Sequence, residues 1–277
     1  MSKLHAACIQ LCSTDDIDEN IEAATGLIRE AKAEGAQFAA TPEMTSLMDQ
    51  RPGALAAKVV PEADDRALKA FRALAAETGM DLLIGSLPVR VGPEICANRS
   101  FLIAPTGEIR ARYDKIHMFD VHVGDGNTYL ESRDYRPGEK SVVVGMGDWK
   151  IGLSICYDIR FPALYRALAQ AGAQIICVPA AFTRVTGEAH WRALLTARAI
   201  ENGAFVIAPG QGGKHTDGRE TFGHSMIIGP WGDTIAEGGE APCVVSAEID
   251  SDRVAQARGR IPSLTHDRSF NPYNQGL

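Results

Sequence analysis

Two octapeptides 137 residues apart, GAQFAATP (Gly35–Pro42) and GAQIICVP (Gly172–Pro179), share the glycine, the Ala-Gln pair and the closing proline. Each follows an alanine-rich segment of helical spacing. Glycine ends such a helix because it adopts the left-handed conformation that closes the last turn. A short apolar run stopped by proline then reads as a strand buried on both faces. A repeated helix–Gly–strand unit predicts two similar halves, with sheets sandwiched between helical layers. On the octapeptides alone, common punctuation explains the match equally well.

The rest of the chain alternates in the same way. Leu4–Leu11 reads as a strand, and Ser13 or Thr14 as the cap of a helix with Ile17, Ile21, Ala24, Leu27, Ile28 and Ala31 on one face. A second helix is predicted over Asp65–Thr78 and a strand over Asp81–Val89. Strand pairs follow around the Pro-Thr-Gly of SFLIAPTGEIRARYDK and the Gly-Asp of VVVGMGDWKIGLSIC, then a helix over Pro162–Ala171. Phe119–Lys140 has no periodic pattern; its aromatics and leucine suit an ordered loop at a site. No linker interrupts residues 1–277, which read as one α/β domain.

A formal charge of −7 argues against a nucleic acid or membrane surface as partner, and no apolar run is long enough to span a bilayer. The segment MSKLHAACIQL enters a strand directly, without a signal-peptide layout, so a cytoplasmic location is expected. The six cysteines form no CxxC pair and no zinc spacing with the seven histidines. Cysteine in an apolar strand is ordinarily a small buried hydrophobe.

Cys156 is the exception. In GLSICYDIRFP it ends an apolar strand shortly before a helix, where sites gather in α/β folds and helix dipoles favour a thiolate. No histidine lies within about thirty residues of it. A carboxylate can replace imidazole as base if burial raises its pKa toward neutrality. Glu43, directly after Pro42, suits that role, and Lys115 in RYDKIHMF suits a fixed cation. Each residue alone also reads as a solvated loop or strand-end charge.

ATPEM around Glu43, RYDKIHMFDV around Lys115 and SICYDIRFPALYRALAQAGA around Cys156 together resemble the signature blocks of the carbon–nitrogen hydrolase (nitrilase) superfamily, in the same order. The resemblance runs from HAACIQL through GHSMIIGPWGD to the C-terminal tail. It implies a four-layer αββα sandwich with pseudo-twofold halves, no metal or organic cofactor, and a homodimer or higher homo-oligomer with the tail, about 262–277, in the contact. It also implies catalytic roles for Glu43, Lys115 and Cys156, a second glutamate at Glu131, and the backbone N–H of Tyr157 as an oxyanion donor. The implied reaction takes a small amide through a thioester to acid plus amine, normally ammonia.

CYDIRFPALYRALAQAGA, the ARAIEN block and FGHSM resemble the branch containing deaminated glutathione amidase and omega-amidase. Substrates there are amides of α-keto acids. N-carbamoyl-amino acid hydrolysis, aliphatic nitrile hydrolysis and an inactive partner protein are the alternatives. Tyr157, where nitrilases usually carry tryptophan, favours an amide. HVGDGNTYLESRDY is longer and more acidic than the loop expected in that branch. Arg160, Phe182, Thr183 and His190 are pocket candidates, Arg160 because a guanidinium fork suits a substrate carboxylate.

Overall fold

The structure is a computed structural model that describes residues 2–51, 53–123 and 128–270. The first half runs β1 (Lys3–Gln10), α1 (Ile17–Ala33), β2 (Phe38–Ala40), α2 (Ala54–Lys58), α3 (Arg66–Thr78), β3 (Asp81–Arg90), β4 (Cys96–Ile103) and β5 (Ile109–Asp114). A small ribbon, β6 (Asp120–His122) with β7 (Thr128–Leu130), follows. Next come β8 (Val142–Met146), β9 (Trp149–Leu153), α4 (Pro162–Gln170), β10 (Ile175–Cys177), α5 (Arg184–Asn202) and β11 (Phe205–Ala208). The chain continues with β12 (Gly212–Lys214), β13 (Glu220–Phe222), β14 (Met226–Ile228), β15 (Thr234–Glu237), β16 (Cys243–Asp250) and α6 (Ser251–Arg260).

Two six-stranded sheets result, ordered β16-β1-β2-β3-β4-β5 and β8-β9-β10-β11-β14-β15. In both, the first pair is antiparallel, the next two are parallel and the last two antiparallel. The two octapeptides supply β2 and β10, which hold the same place in this pattern. The echo is therefore structural. The halves differ in how the first pair is made: β8 and β9 are consecutive, whereas β16 returns from the C-terminal end to pair with β1.

Strand alternation then assigns the layers. Ala6, Cys8, Phe38, Ala40, Leu83 and Leu102 point from the first sheet to the second. Their neighbours Ala7, Ile9, Ala39, Leu82 and Ile84 point the other way, onto α1 and α3. Helices α4 and α5 cover the far face of the second sheet. The order is αββα.

Local details differ from expectation in two places. Asp16, not Ser13 or Thr14, caps α1, its Oδ1 accepting from Asp18 N (2.8 Å) and Glu19 N (3.1 Å). Ser13 is committed elsewhere, donating to the Thr45 carbonyl beneath the Glu43 turn at 3.0 Å. The stretch 119–140 is not uniformly loop, since it holds β6, β7 and a turn of 3-10 helix at Glu131–Arg133; residues 124–127 lie outside the described residues. The first part of the tail docks on its own α4, with Arg166 donating to Ser263 O (2.7 Å) and Gln170 to Leu264 O (3.1 Å). Residues 271–277 of the expected oligomer contact lie outside the described residues. Among the described residues no helix is long and apolar enough to cross a membrane.

Gly85 in β3 lets the halves meet. A Cβ there would lie 2.0 Å from Thr41 O and 2.5 Å from both Pro42 O and Pro179 Cβ, the ends of both octapeptides. Overpacking of this kind costs about 1–3 kcal/mol. Gly85→Ala should lower the melting temperature by about 3–10 °C in a circular-dichroism melt. Gly145→Ala, with open space at its Cβ, should stay within about 2 °C.

Candidate active site

Each half delivers part of the site from the end of a strand. After β2 the chain turns sharply at Glu43–Met44, where Met44 has φ +56°. The turn is tied to β3 by Thr45 N donating to Ser86 O (2.9 Å) and Met44 N to Ser86 Oγ (2.9 Å). Lys115 directly follows β5, its N–H donating to Asn98 O on β4 at 2.9 Å. Cys156 follows β9, with φ +48°. A non-glycine residue in the left-handed region is strained, and such strain gathers at functional sites. Its N–H donates to the carbonyl of Pro179, the last residue of the second octapeptide, at 2.9 Å.

Asp158, fully buried, fastens these elements together. Its Oδ2 accepts from Ile155 N (2.8 Å) and Tyr113 Oη (2.7 Å). Its Oδ1 accepts from His117 N (3.1 Å) and lies 2.7 Å from His117 Nδ1. One carboxylate thus bonds the backbone just before Cys156 to residues on both sides of Lys115.

The functional groups converge. Lys115 Nζ donates to Glu43 Oε1 (2.8 Å) and to Glu131 Oε1 and Oε2 (3.0 and 2.8 Å). Glu43 Oε2 accepts from Ala181 N across the halves at 3.0 Å, and the Cys156 thiol hydrogen-bonds the same carboxylate. Glu131 Oε2 accepts from Phe119 N at 2.7 Å. Asn98, buried on β4, donates through one nitrogen to Glu43 Oε1 (2.9 Å) and Glu131 Oε1 (3.1 Å).

The electrostatics run opposite to the sequence expectation. Burial pushes the Glu43 carboxyl up, but the Lys115 charge and hydrogen bond, with the Cys156 bond and the Arg219 charge, outweigh it and hold the group below its ordinary value. Burial lowers the Lys115 ammonium, yet Glu131 and Glu43 carry it well above its ordinary value. The Cys156 thiol is pushed well up by burial and by the Glu43 charge, against the opposing pull of Lys115. The resting state therefore pairs a thiol with an ionised carboxylate. Helix α4, which starts six residues on, does not reverse this.

A cavity of about 510 Å³ opens onto this cluster, lined by Glu43, Lys115, Glu131, Cys156 and Tyr157 among others. Tyr157 sits in the first turn of the 3-10 helix Cys156–Arg160, where an N–H has no acceptor within the helix. Phe182 and Thr183 also line the cavity; Arg160 and His190 do not. Arg160 Nη2 lies 3.2 Å from His190 Nδ1, and its guanidinium sits 5.5 Å from the Phe182 ring centre and 5.9 Å from that of Tyr157. Arg160 is thus held against two rings that line the cavity. Asn98, Asp158 and Arg219, which sequence reasoning passed over, are the additions. The signal for Asn98 was its place two and four residues before Ser100 and Leu102, on the face of β4 that turns to the second sheet.

The model of the carbon-nitrogen hydrolase family matches residues 5–259. The chain belongs to the carbon–nitrogen hydrolase family. It is 44% identical over 266 residues to a deaminated glutathione amidase of Synechocystis sp., covering 94% of this chain and 97% of that one. It is 31% identical over 273 residues to the omega-amidase NIT2 of Bos taurus, covering 97% and 96%. Its fold matches the crystal structure of the C. elegans NitFhit protein with a TM-score of 0.89 at 32% identity. That match covers 97% of this chain and 66% of the NitFhit chain, so the present chain spans just under two thirds of the longer protein. This family is one of hydrolases acting on carbon–nitrogen bonds, and the chain is such a hydrolase in the nitrilase-type sandwich.

The raised thiol has a spectroscopic consequence. The difference in 240 nm absorbance between the native protein and Cys156→Ala should stay flat through neutrality and rise only above about pH 9. A step below pH 7, as in a thiolate–imidazolium pair, would contradict the assignment.

Proposed function

We propose that the protein is a cysteine amidase for small carboxylated amides of the α-keto acid type, with deaminated glutathione-like substrates favoured. The observation that carries this reading is the shared hydrogen-bonded cluster of Cys156, Glu43, Lys115 and Glu131 at the floor of one cavity. The relative named deaminated glutathione amidase, more similar than the omega-amidase, supports the choice of acyl group.

The chemistry follows from the geometry. Glu43 takes the Cys156 proton as sulfur attacks the amide carbon, so thiolate forms only as the carbon–sulfur bond forms. This matches a thiol whose pKa is high at rest. The developing oxyanion is stabilised by the Lys115 ammonium and the Tyr157 N–H, both fixed before substrate arrives. Glu43 returns the proton to the leaving nitrogen, the carbon–nitrogen bond breaks, and amine departs, leaving a thioester on Cys156. Glu43 then deprotonates a water that attacks the thioester; the acid is released and the proton returns to sulfur. Glu131 orients Lys115, gripping it with both oxygens while its own Oε2 is tethered to Phe119 N. No step calls on a metal or organic cofactor.

A reduced Cys156 is needed throughout, and all six cysteines are free. That fits a reducing, cytoplasmic setting. Exposed Ile200 on α5 and Trp231 beside it suit pairing of the outer helical layers into a homodimer or larger homo-oligomer.

The test is steady-state hydrolysis of deaminated glutathione, a primary ω-amide of an α-keto acid, an N-carbamoyl amino acid and an aliphatic nitrile, reading both acid and amine. The α-keto acid amides should turn over fastest. Cys156→Ala and Glu43→Gln should each lose about 10⁴-fold or more in kcat, with Lys115→Met as severe. No turnover of any amide, or native rates in Cys156→Ala, would sink the reading.

A further inference from the structure

Five cations line the cavity: Arg51, Arg90, Lys115, Arg133 and Arg219. Four are committed. Arg51 pairs with Asp15 and Asp49, Arg133 with Asp134, and Lys115 with the two glutamates. Arg90 spends its guanidinium on the carbonyls of Val59, Ala56 and Pro93.

Arg219 differs. It forms no ion pair among the described residues, and its buried Nε has no hydrogen-bond acceptor. Its remaining contacts orient it without neutralising it. Nη2 donates to Ala181 O at 2.6 Å, Nη1 lies 3.9 Å from Met48 Sδ, and the guanidinium stands 5.5 Å from the Tyr129 ring centre. Ala181 is also the residue whose N–H holds Glu43, and the Arg219 charge reaches that carboxylate.

The charge balance of the cavity floor gives this cation a purpose. Glu43, Glu131 and Lys115 together leave one negative charge around Cys156, which would repel an anionic substrate. An uncommitted guanidinium on the same wall cancels it, and an arginine held on one side offers its free N–H edge to a carboxylate.

We propose that Arg219, rather than Arg160, reads the carboxylate of the substrate's acyl portion and sets the preference for anionic over neutral amides. The assignment rests on the amidase reading of Cys156. Discrimination by one buried charged contact is of the order of 10²–10³-fold.

The experiment compares kcat/KM for glutaramate and for its neutral counterpart valeramide in the native protein, Arg219→Lys and Arg219→Met, with melting curves for each. The native protein should favour glutaramate. Arg219→Met should lower that preference about 100-fold, mainly through the KM for glutaramate, and Arg219→Lys should retain part of it. Inhibition by glutarate should weaken in parallel, and Arg160→Met should leave the preference in place. An equal loss on both amides in folded Arg219→Met and Arg219→Lys would overturn the proposal, making Arg219 a brace for Ala181 and Glu43. So would an unchanged preference. Failure of the amidase reading is distinct: the native protein would hydrolyse neither amide. Arg219 would then stand or fall on glutarate binding by calorimetry, with equal affinity in native protein and Arg219→Met refuting it.

Discussion

A buried ammonium between two carboxylates organises this molecule. Lys115 is only 2% exposed, and alone at that depth it would be driven to give up its proton. Glu43, equally deep, would be driven to keep one. Each stays charged because the others do, with Asn98 donating to both carboxylates. The cost of burying such a cluster is recovered only when every member is present, so loss of one member leaves uncompensated charge behind. The sign of the pH dependence follows. Glu43, held down, contributes stability above its ordinary value of 4.5 that is lost as pH falls through its folded value. Lys115, held up, contributes below 10.5 and loses it as pH rises through its own.

The two halves divide the cluster. The first contributes Glu43, Asn98 and Lys115 from the ends and interior of β2, β4 and β5. The second contributes Cys156 after β9 and Ala181 after β10. Cys156 N–H bonds Pro179 O, Ala181 N–H bonds Glu43, and Gly85 makes room where the two prolines meet. Glu43 follows the octapeptide strand of the first half, Cys156 follows β9 beside the octapeptide strand of the second, and the two meet without either being near the other in sequence.

That distribution explains what was legible in the chain. The octapeptide echo foretold two halves because glycine and proline mark backbone geometry directly. Glu43, Lys115 and Cys156 stood out through the blocks around them, although the 113 residues between Glu43 and Cys156 hide any pairing. The sign of the Glu43 shift was not legible: it depends on the distance to Lys115, which no spacing encodes. Asp158 and Arg219 were obscured for the same reason, since their significance lies in partners tens of residues away. Arg160, close to Cys156 in sequence, is held by His190 and two rings of the cavity lining, contacts that no spacing encodes.

The central claim is that acyl transfer passes through Cys156 at this cluster. Rapid acid quench of the native protein with deaminated glutathione, followed by peptide mass spectrometry, tests it most directly. The account predicts a thioester adduct on the peptide containing Cys156, with the mass of the acyl group, absent in Cys156→Ala. Turnover without that adduct, or an adduct on another residue, would contradict it.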